Sequence, residues 1–168
     1  MGIGCDVTHR GTRLLPMIFS APDPAADPYF ASVLLNLQRE AFEIEAQFLG
    51  TRDIPPLRQS PEALAGFRGS WVMAWDGTML IGAAAWQETP SEVELEKVMV
   101  HPSAHRRGVA SALIAQVVER TPGRDIVVTT GRDNPPGIAM YTRNGFVAEG
   151  DEEVPPGIWL RHLRLSSG

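Results

Sequence analysis

Residues 98–114 read VMVHPSAHRRGVASALI, and they predict a strand, a tight turn and a helix in direct succession. The first N–H groups of a helix have no partner inside it, and the helix dipole adds about half a positive charge there. Gly108 and Ala110 lack bulk, so a phosphate group can approach those N–H groups, and the neighbouring Arg106 and Arg107 add charge-assisted contacts. The sequence therefore predicts an anion site at this turn.

A second segment, residues 134–146, reads NPPGIAMYTRNGF and predicts a short helix. Asn134 stands before two prolines, and proline favours the first turn of a helix. Gly145 occupies the position after a helix end that glycine most often fills. Ahead of this segment, residues 125–130 (DIVVTT) predict a strand with an apolar centre. The chain thus places a strand followed by a helix twice in succession.

Together the two segments resemble the signature of the GNAT acetyltransferase superfamily. The first motif of that family is Q/R-x-x-G-x-G/A after a strand ending Val-x-Pro, and residues 105–110 (HRRGVA) fit it except at His105. The second motif is N-x-x-A-x-x-x-Y-x-x-x-G-F, and residues 134–146 fit it except at Gly137. The two motifs stand in the order of the family, with a strand between them.

The resemblance covers residues 71–165 well and residues 16–70 only in the coarse order of helices and loops. It implies a single α/β domain whose mixed, strongly twisted central sheet has about six or seven strands flanked by helices. It also implies acetyl-CoA as the co-substrate and no metal. The residues implied to bind acetyl-CoA are Val98, Met99, Val100, Arg106, Arg107, Gly108, Val109, Ala110, Ser111 and Asn134.

Direct acetyl transfer requires a proton donor for the departing thiolate, and the resemblance places Tyr141 in that role. A phenol with a pKa near 10 stays protonated at neutral pH and can donate. The thioester carbonyl also needs a hydrogen-bond donor, for which the backbone N–H of Val100 is a candidate. Tyr141 has an alternative interpretation as a core aromatic, because it shares a helix face with Ile138.

The base that deprotonates the amine is predicted on the strand before the first motif. Glu94 and Glu96 stand six and four positions before Val100, where the family often carries its base. Both share the face of Val98 if the strand is regular. Partial burial would raise the pKa of a glutamate toward neutrality and suit it to this task. The alternative is that both carboxylates lie on a solvated face of the sheet.

Two functions fit these motifs. The first is an N-acetyltransferase that acts on a primary amine of a small molecule or a protein. The second is a catalytically silent module that binds acyl-CoA, although such a module has no need of Tyr141 beside the sulfur. A nucleotide-dependent enzyme with a phosphate loop is excluded, because the sequence lacks the lysine of that motif.

Composition limits the setting in which the protein works. A net charge of −5 argues against a general nucleic-acid binder, whose surface is usually basic. The single Cys5 excludes an intramolecular disulfide and favours a reducing compartment. No apolar run reaches the length of about 20 residues that spans a bilayer, and the N-terminus resembles no secretory signal. We therefore expect a cytoplasmic protein with neither nucleic acid nor membrane as a partner.

The chain is predicted to form a loose N-terminal arm over residues 1–15 and one acetyltransferase domain over residues 16–168. The acceptor side is expected within residues 29–67 and the acetyl-CoA side within residues 93–146. The predicted strands cover residues 71–75, 78–86, 93–100, 125–130, 146–148 and 158–165, and loops cover residues 51–61 and 149–157. The acceptor cannot be identified from these residues, although Glu40, Glu43 and Glu45 are candidates to face a cationic one.

A homodimer is predicted from the last strand. Trp159 stands between Ile158 and Leu160, which makes an apolar run near the C-terminus. Members of the family often pair subunits through their C-terminal strands.

Overall fold

The computed structural model of the chain describes residues 17–168. The predicted N-terminal arm, residues 1–15, and Cys5 within it lie outside the described residues. The helices are α1 (Pro28–Leu49), α2 (Pro55–Arg58), α3 (Pro61–Ala65), α4 (Val109–Arg120) and α5 (Pro135–Arg143). The strands are β1 (Ile18–Ser20), β2 (Ser70–Asp76), β3 (Met79–Glu88), β4 (Val93–Val100), β5 (Ile126–Gly131), β6 (Val147–Val154) and β7 (Ile158–Leu165).

The described strands form one mixed sheet in the order β1-β2-β3-β4-β5-β7-β6. Only β4 and β5 pair in parallel, because α4 carries the chain back between them. The neighbouring pairs are antiparallel, and the hairpin between β2 and β3 turns at Gly77 with a φ of 61°. The prediction of a single α/β domain with a mixed sheet flanked by helices is confirmed.

Helices cover both faces of this sheet. On one face α1 buries Leu34, Leu35 and Leu37 against the centre of the sheet, together with Leu64 of α3. On the other face α4 packs its apolar stripe, and α5 adds Tyr141. A fully buried leucine stabilises the fold by about 1.5–3 kcal/mol relative to an exposed one. The alanine run of β3 is fully buried between the two layers, so both helical layers approach the sheet closely.

Three segments differ from the sequence prediction, and the first is strand β1, which was not predicted. The predicted loop over residues 51–61 contains the single helical turn α2, and residues 149–154 of the second predicted loop continue strand β6. Strand β6 lies at the edge of the sheet with nearly every residue exposed, so its sequence shows no alternation of apolar residues. Its pairing is supported instead by charges across the hairpin, such as the contact of Arg161 with Asp151 at 2.7 Å.

Within residues 17–168, every helix is too short or too polar to cross a membrane.

Candidate functional site

Strands β4 and β5 pair over a short stretch and then separate. Their register joins residues 93–95 to residues 126–128, whereas β4 continues beside β3 as far as Val100. Beyond Leu95, the side of β4 that faces β5 therefore has no strand beside it among the described residues. We call this opening the gap.

The backbone groups of Val98 and Val100 face the gap. The N–H of His101 donates to the carbonyl of Ile81 on the β3 side, at 2.9 Å. Hydrogen-bonding directions alternate along a strand, so Met99 also faces β3 while Val98 and Val100 face away from it. The gap thus presents N–H and C=O groups like those of a sheet edge, to which an extended ligand can add as a strand.

A β-bulge at Glu96 changes which side chains face which layer. Ala85 of β3 lies opposite Lys97 and Trp86 lies opposite Leu95, so Glu96 is an extra residue in β4. After the bulge the alternation is shifted by one position, which places Val98 on the face that Leu95 occupies before it.

The bulge corrects the prediction that Glu94 and Glu96 share the face of Val98, which assumed a regular strand. Glu94 precedes the bulge and lies on the opposite face, and Glu96 lines a separate, smaller cleft. Burial raises the pKa of the Glu96 carboxyl, the charge of Glu94 raises it further, and Lys97 lowers it in part. Whether either carboxylate acts as the base remains a prediction.

Met99 also points away from the gap. Its side chain is buried against the layer of α1, and its backbone pairs with Ala83 of β3. The predicted contact of Met99 with acetyl-CoA does not fit this placement.

The turn after β4 has the backbone conformation of an anion-binding loop. Arg106 and Gly108 both have a positive φ, 61° and 76°, and Gly108 leads directly into α4. A side chain at position 108 would meet open space, so glycine is needed there for its conformation and not for packing. The helix start and the adjacent positive-φ residues together direct N–H groups toward the solvent side of the turn.

The side chains of the two arginines of this turn contact different parts of the protein. Arg106 lines the main cleft described below, whereas Arg107 donates to the carboxylate of Asp76 at 2.7 Å, on the β2–β3 hairpin. The predicted phosphate contact of Arg107 therefore depends on its backbone and not on its guanidinium. His105, which departs from the family motif, places its Nε2 3.2 Å from the carbonyl oxygen of Val100 at the end of the gap.

The main cleft is about 680 Å³ in volume and connects the gap, the turn and helix α5. Its walls come from α1, the end of β4, the start of α4 and α5. The predicted site residues that line it are Val98, Val100, Arg106, Gly108, Val109, Ala110, Ser111 and Asn134. Of the described carboxylates only Glu45, near the end of α1, lines this cleft.

Glu45, Asn134 and Tyr141 form an interacting group on one side of the main cleft. Burial raises the pKa of the Glu45 carboxyl, and hydrogen bonding from Asn134 lowers it in part. Burial also raises the pKa of the Tyr141 phenol, and the nearby charge of Glu45 raises it further. The phenol therefore stays protonated across the neutral range, while the Glu45 carboxylate takes up a proton at a higher pH than an ordinary glutamate does.

Tyr141 lies beneath the wall of the main cleft and not on its surface. It is 7% exposed, and its ring packs edge-on against Phe146 with 5.4 Å between the centroids. The wall above it is made by its helix neighbours Met140 and Asn144. Its predicted role as the acid and the alternative role in packing both fit this placement.

Asn134 is held by the start of α5. Its side chain accepts from the N–H of Gly137 at 3.1 Å, which caps the helix. A Cβ atom at position 137 would lie 2.7 Å from the Asn134 Nδ2. Gly137, which departs from the family motif, therefore leaves room for the side chain of Asn134.

We expect Gly137→Ala to destabilise the protein, although alanine normally stabilises a helix by about 1 kcal/mol relative to glycine. The added methyl displaces the Asn134 side chain, and loss of such a cap costs about 0.5–2 kcal/mol. Urea unfolding followed by circular dichroism measures the difference. A variant more stable than the parent would show that the Asn134 side chain moves aside at no cost.

Sequence patterns named Glu45 only as one of three acceptor-facing candidates, and they missed one ion pair near the main cleft. Glu45 stood among three helical glutamates that spacing alone could not separate, and α1 is the element with the weakest resemblance to the family. The pairing of Asp76 with Arg107 joins residues 31 positions apart, which no local pattern reports. Within the described residues, no group of three or more His, Cys, Asp or Glu side chains is placed to hold a metal ion.

Comparisons with known proteins agree with this geometry. A model of the Acetyltransferase (GNAT) family matches residues 32–146. The UPF0157 protein YqkA of Bacillus subtilis (strain 168) is 27% identical over 143 residues, which are 80% of this chain and 40% of that protein. The chain spans less than half the length of the curated relatives it matches.

Solved structures share the fold. The ribosomal-protein-S18-alanine N-acetyltransferase of Escherichia coli has a TM-score of 0.70 and 16% identity, over 91% of this chain and 95% of that one. The yncA structure from Salmonella typhimurium, which contains its cofactor acetyl-CoA, has a TM-score of 0.63 and 17% identity, over 90% of this chain and 94% of that one. Because the family model matches residues 32–146, most of the chain, the chain belongs to the GNAT family of acetyltransferases.

Proposed function

We propose that this protein transfers the acetyl group of acetyl-CoA directly to a primary amine of a small molecule or a protein. The observation that carries the proposal is the main cleft, which joins three features. These are the open backbone of Val98 and Val100, the cationic turn at Arg106 and the helix that carries Tyr141. They match the three parts of an acyl-CoA thioester. These parts are an arm that bears amides, a pyrophosphate, and a sulfur that leaves as thiolate.

The residues of the gap and the turn would bind the donor. Backbone groups of Val98 and Val100 pair with the amides of the pantetheine arm, and the N–H groups that begin α4 receive the pyrophosphate. The N–H of Val98 or of Val100 would polarise the thioester carbonyl, which makes the carbon more reactive toward an amine. Asn134 fixes one side of the cleft through its contact with the start of α5.

Proton transfer involves two sides of the site. Tyr141 would protonate the departing thiolate. Burial keeps its hydroxyl protonated at every working pH, and the same raised pKa makes it a weaker acid than an ordinary phenol. The amine must lose a proton before attack, and its ordinary pKa is near 10.4. Three carboxylates are candidates to receive that proton: Glu94 and Glu96 from the sequence and Glu45 from the structure.

Glutamine variants of these three carboxylates identify the base. Glu45 and Glu96 have raised pKa values, so each is ionised above its pKa and loses its ability to accept a proton as the pH falls through it. We expect replacement of the true base to lower kcat by about 10²–10⁴-fold. Glu94→Gln is expected to show the smallest loss of the three, because Glu94 lies on the face of β4 opposite to Val98. Equal, small losses in all three variants would mean that water deprotonates the amine.

A screen of primary amines with acetyl-CoA, followed by release of free thiol, tests the proposed function. Turnover of at least one amine supports it. Stabilisation of the protein by CoA without transfer to any amine or to peptide N-termini would favour the silent acyl-CoA-binding module instead.

The setting of the protein is also part of the proposal. We place the acceptor side within residues 29–67, the acetyl-CoA side within residues 93–146, and the protein in the cytoplasm without nucleic acid or membrane as a partner. A homodimer through the last strand is consistent with Ile158, which is exposed, and with Trp159, which carries Arg132 over its ring at 4.5 Å. A monomeric mass by light scattering at micromolar concentration would rule the dimer out.

A further inference from the structure

The second cleft lies on the α1 face of β4, at the bulge. It is about 510 Å³ in volume, and its lining residues are Pro55, Pro56, Arg58, Gln59, Glu96 and Lys97. Most of these belong to the stretch where the acceptor side is proposed. Glu96 and Lys97 are adjacent in sequence and bring opposite charges into the same small space.

Lys97 is the only lysine in the 168-residue chain, which otherwise uses arginine for its cationic side chains. Its Nζ donates to the Oε1 of Gln38 at 2.7 Å and to the Oε1 of Gln59 at 2.5 Å. Both acceptors are neutral amides. An ammonium has three N–H donors, so these two bonds leave a third for a ligand in the cleft.

The surroundings hold this ammonium in place. Gln38 is 0% exposed, and its Nε2 donates to the carbonyl of Pro56 at 2.8 Å and to the Oε1 of Gln59 at 2.9 Å. The bonds join α1, α2 and β4 into one polar cluster. Burial lowers the pKa of Lys97 to about 8, and the charge of Glu96 opposes this only in part. Lys97 is half-buried and both of its hydrogen-bond acceptors are neutral, so an anionic ligand would add a counter-charge to that of Glu96.

We propose that the second cleft binds the carboxylate of an acceptor that carries an amine and a carboxylate together, with Lys97 as the anion contact. Glu96 lies beside Lys97 and faces the amine of the same molecule, so the pair of charges complements a zwitterion. Glu96 is two residues from Val98, roughly 7 Å along a strand, so the amine lies near the start of the gap. This inference rests on the proposed function and names the class of acceptor as amino acids and their relatives.

The single lysine makes a direct test possible. Protein labelled with ¹³C-lysine gives one side-chain signal, whose titration reports the ammonium of Lys97 alone. We expect N-acetyl amino acids, the products of the reaction, to raise the pKa of Lys97 from about 8. The matching N-acetyl amino acid amides have no carboxylate and are expected to leave it unchanged. If no N-acetyl amino acid in a panel of side-chain classes shifts the titration more than its amide, the proposal is overturned.

Turnover gives a second, independent readout. Amino acids and their amides are compared as acceptors in the parent, in Lys97→Met and in Lys97→Arg. We expect Lys97→Met to lower the kcat/KM ratio of acid to amide by roughly 10- to 100-fold, the usual effect of one charge-assisted hydrogen bond. Lys97→Arg keeps the charge and is expected to restore part of the ratio.

The outcomes distinguish failure of the carboxylate-binding inference from failure of the proposed acetyl transfer. If Lys97→Met lowers kcat/KM for the amino acid and for its amide by the same factor, Lys97 only joins α1 and α2 to β4, and the inference fails. If the parent acetylates no amine at all, the proposed function fails, and the lysine titration still decides whether the cleft binds a carboxylate. Stabilisation by CoA, which binds in the main cleft, checks that each variant is folded.

Discussion

Arg106→Glu combined with Ala110→Glu is expected to abolish binding of CoA. Arg106 lines the main cleft and Ala110 stands at the start of α4, so both new carboxylates face the site proposed for the pyrophosphate. The loss of one charge-assisted contact costs about 1.5–3 kcal/mol. The two new carboxylates also repel the pyrophosphate. We therefore expect the Kd for CoA to rise by more than about 100-fold, since each 1.4 kcal/mol of lost binding free energy raises Kd tenfold.

The fold itself should survive this change. A carboxylate in the first turn of a helix interacts favourably with the helix dipole, so Ala110→Glu opposes the ligand without opposing the helix. The matched control is Ala115→Glu with Arg120→Glu, which makes the same two replacements on the exposed surface of α4 away from its start.

Thermal unfolding with and without CoA measures the effect. A ligand at 100 times its Kd stabilises the folded state by about 2.7 kcal/mol, so the parent and the control should both show a raised Tm. The double variant should show none. A double variant that CoA stabilises as much as the parent would place the pyrophosphate somewhere other than this turn.

Tyr141→Phe is expected to slow the chemical step by about 10²–10⁴-fold, the usual contribution of a positioned acid. The replacement removes one hydroxyl and keeps the ring that packs on Phe146, so the fold and the binding of CoA should change little. In kinetic terms kcat falls while the KM for acetyl-CoA stays near the parent value.

The chain contains only one other tyrosine, which provides the control. Tyr29 is 61% exposed at the start of α1, and Tyr29→Phe removes the same hydroxyl away from the main cleft. Its kcat should match that of the parent. If Tyr141→Phe retains more than half of the parental kcat while chemistry limits the rate, Tyr141 is a packing residue and the thiolate takes its proton from water.

The motif segments were readable from the sequence because their structure depends on local rules. Gly108 was predicted at a helix start, and its φ of 76° shows why glycine is needed there. Asn134 and Gly145 were predicted to bound a short helix, and the structure places α5 at Pro135–Arg143. Each of these features is decided by residues within one or two turns of the chain.

Other parts of the site depended on partners far away in sequence. The bulge at Glu96 arises from the register of β4 against β3. It places Val98 on the face of the strand opposite to Glu94, whereas a regular strand would place both on the same face. Residues 149–154 of strand β6 were not predicted, because their stability comes from pairing with β7 and not from apolar alternation.

The sequence by itself determined the family, the order of strands and helices from β2 onward, and the turn that begins α4, because short-range backbone preferences and apolar periodicity specify them. Only the tertiary structure decided which charged side chains share a cleft. It placed Glu45 in the main cleft, paired Arg107 with Asp76 and joined Lys97 to two glutamines. The physical reason is that such contacts depend on how separate elements pack, and packing brings together residues whose spacing along the chain carries no signal.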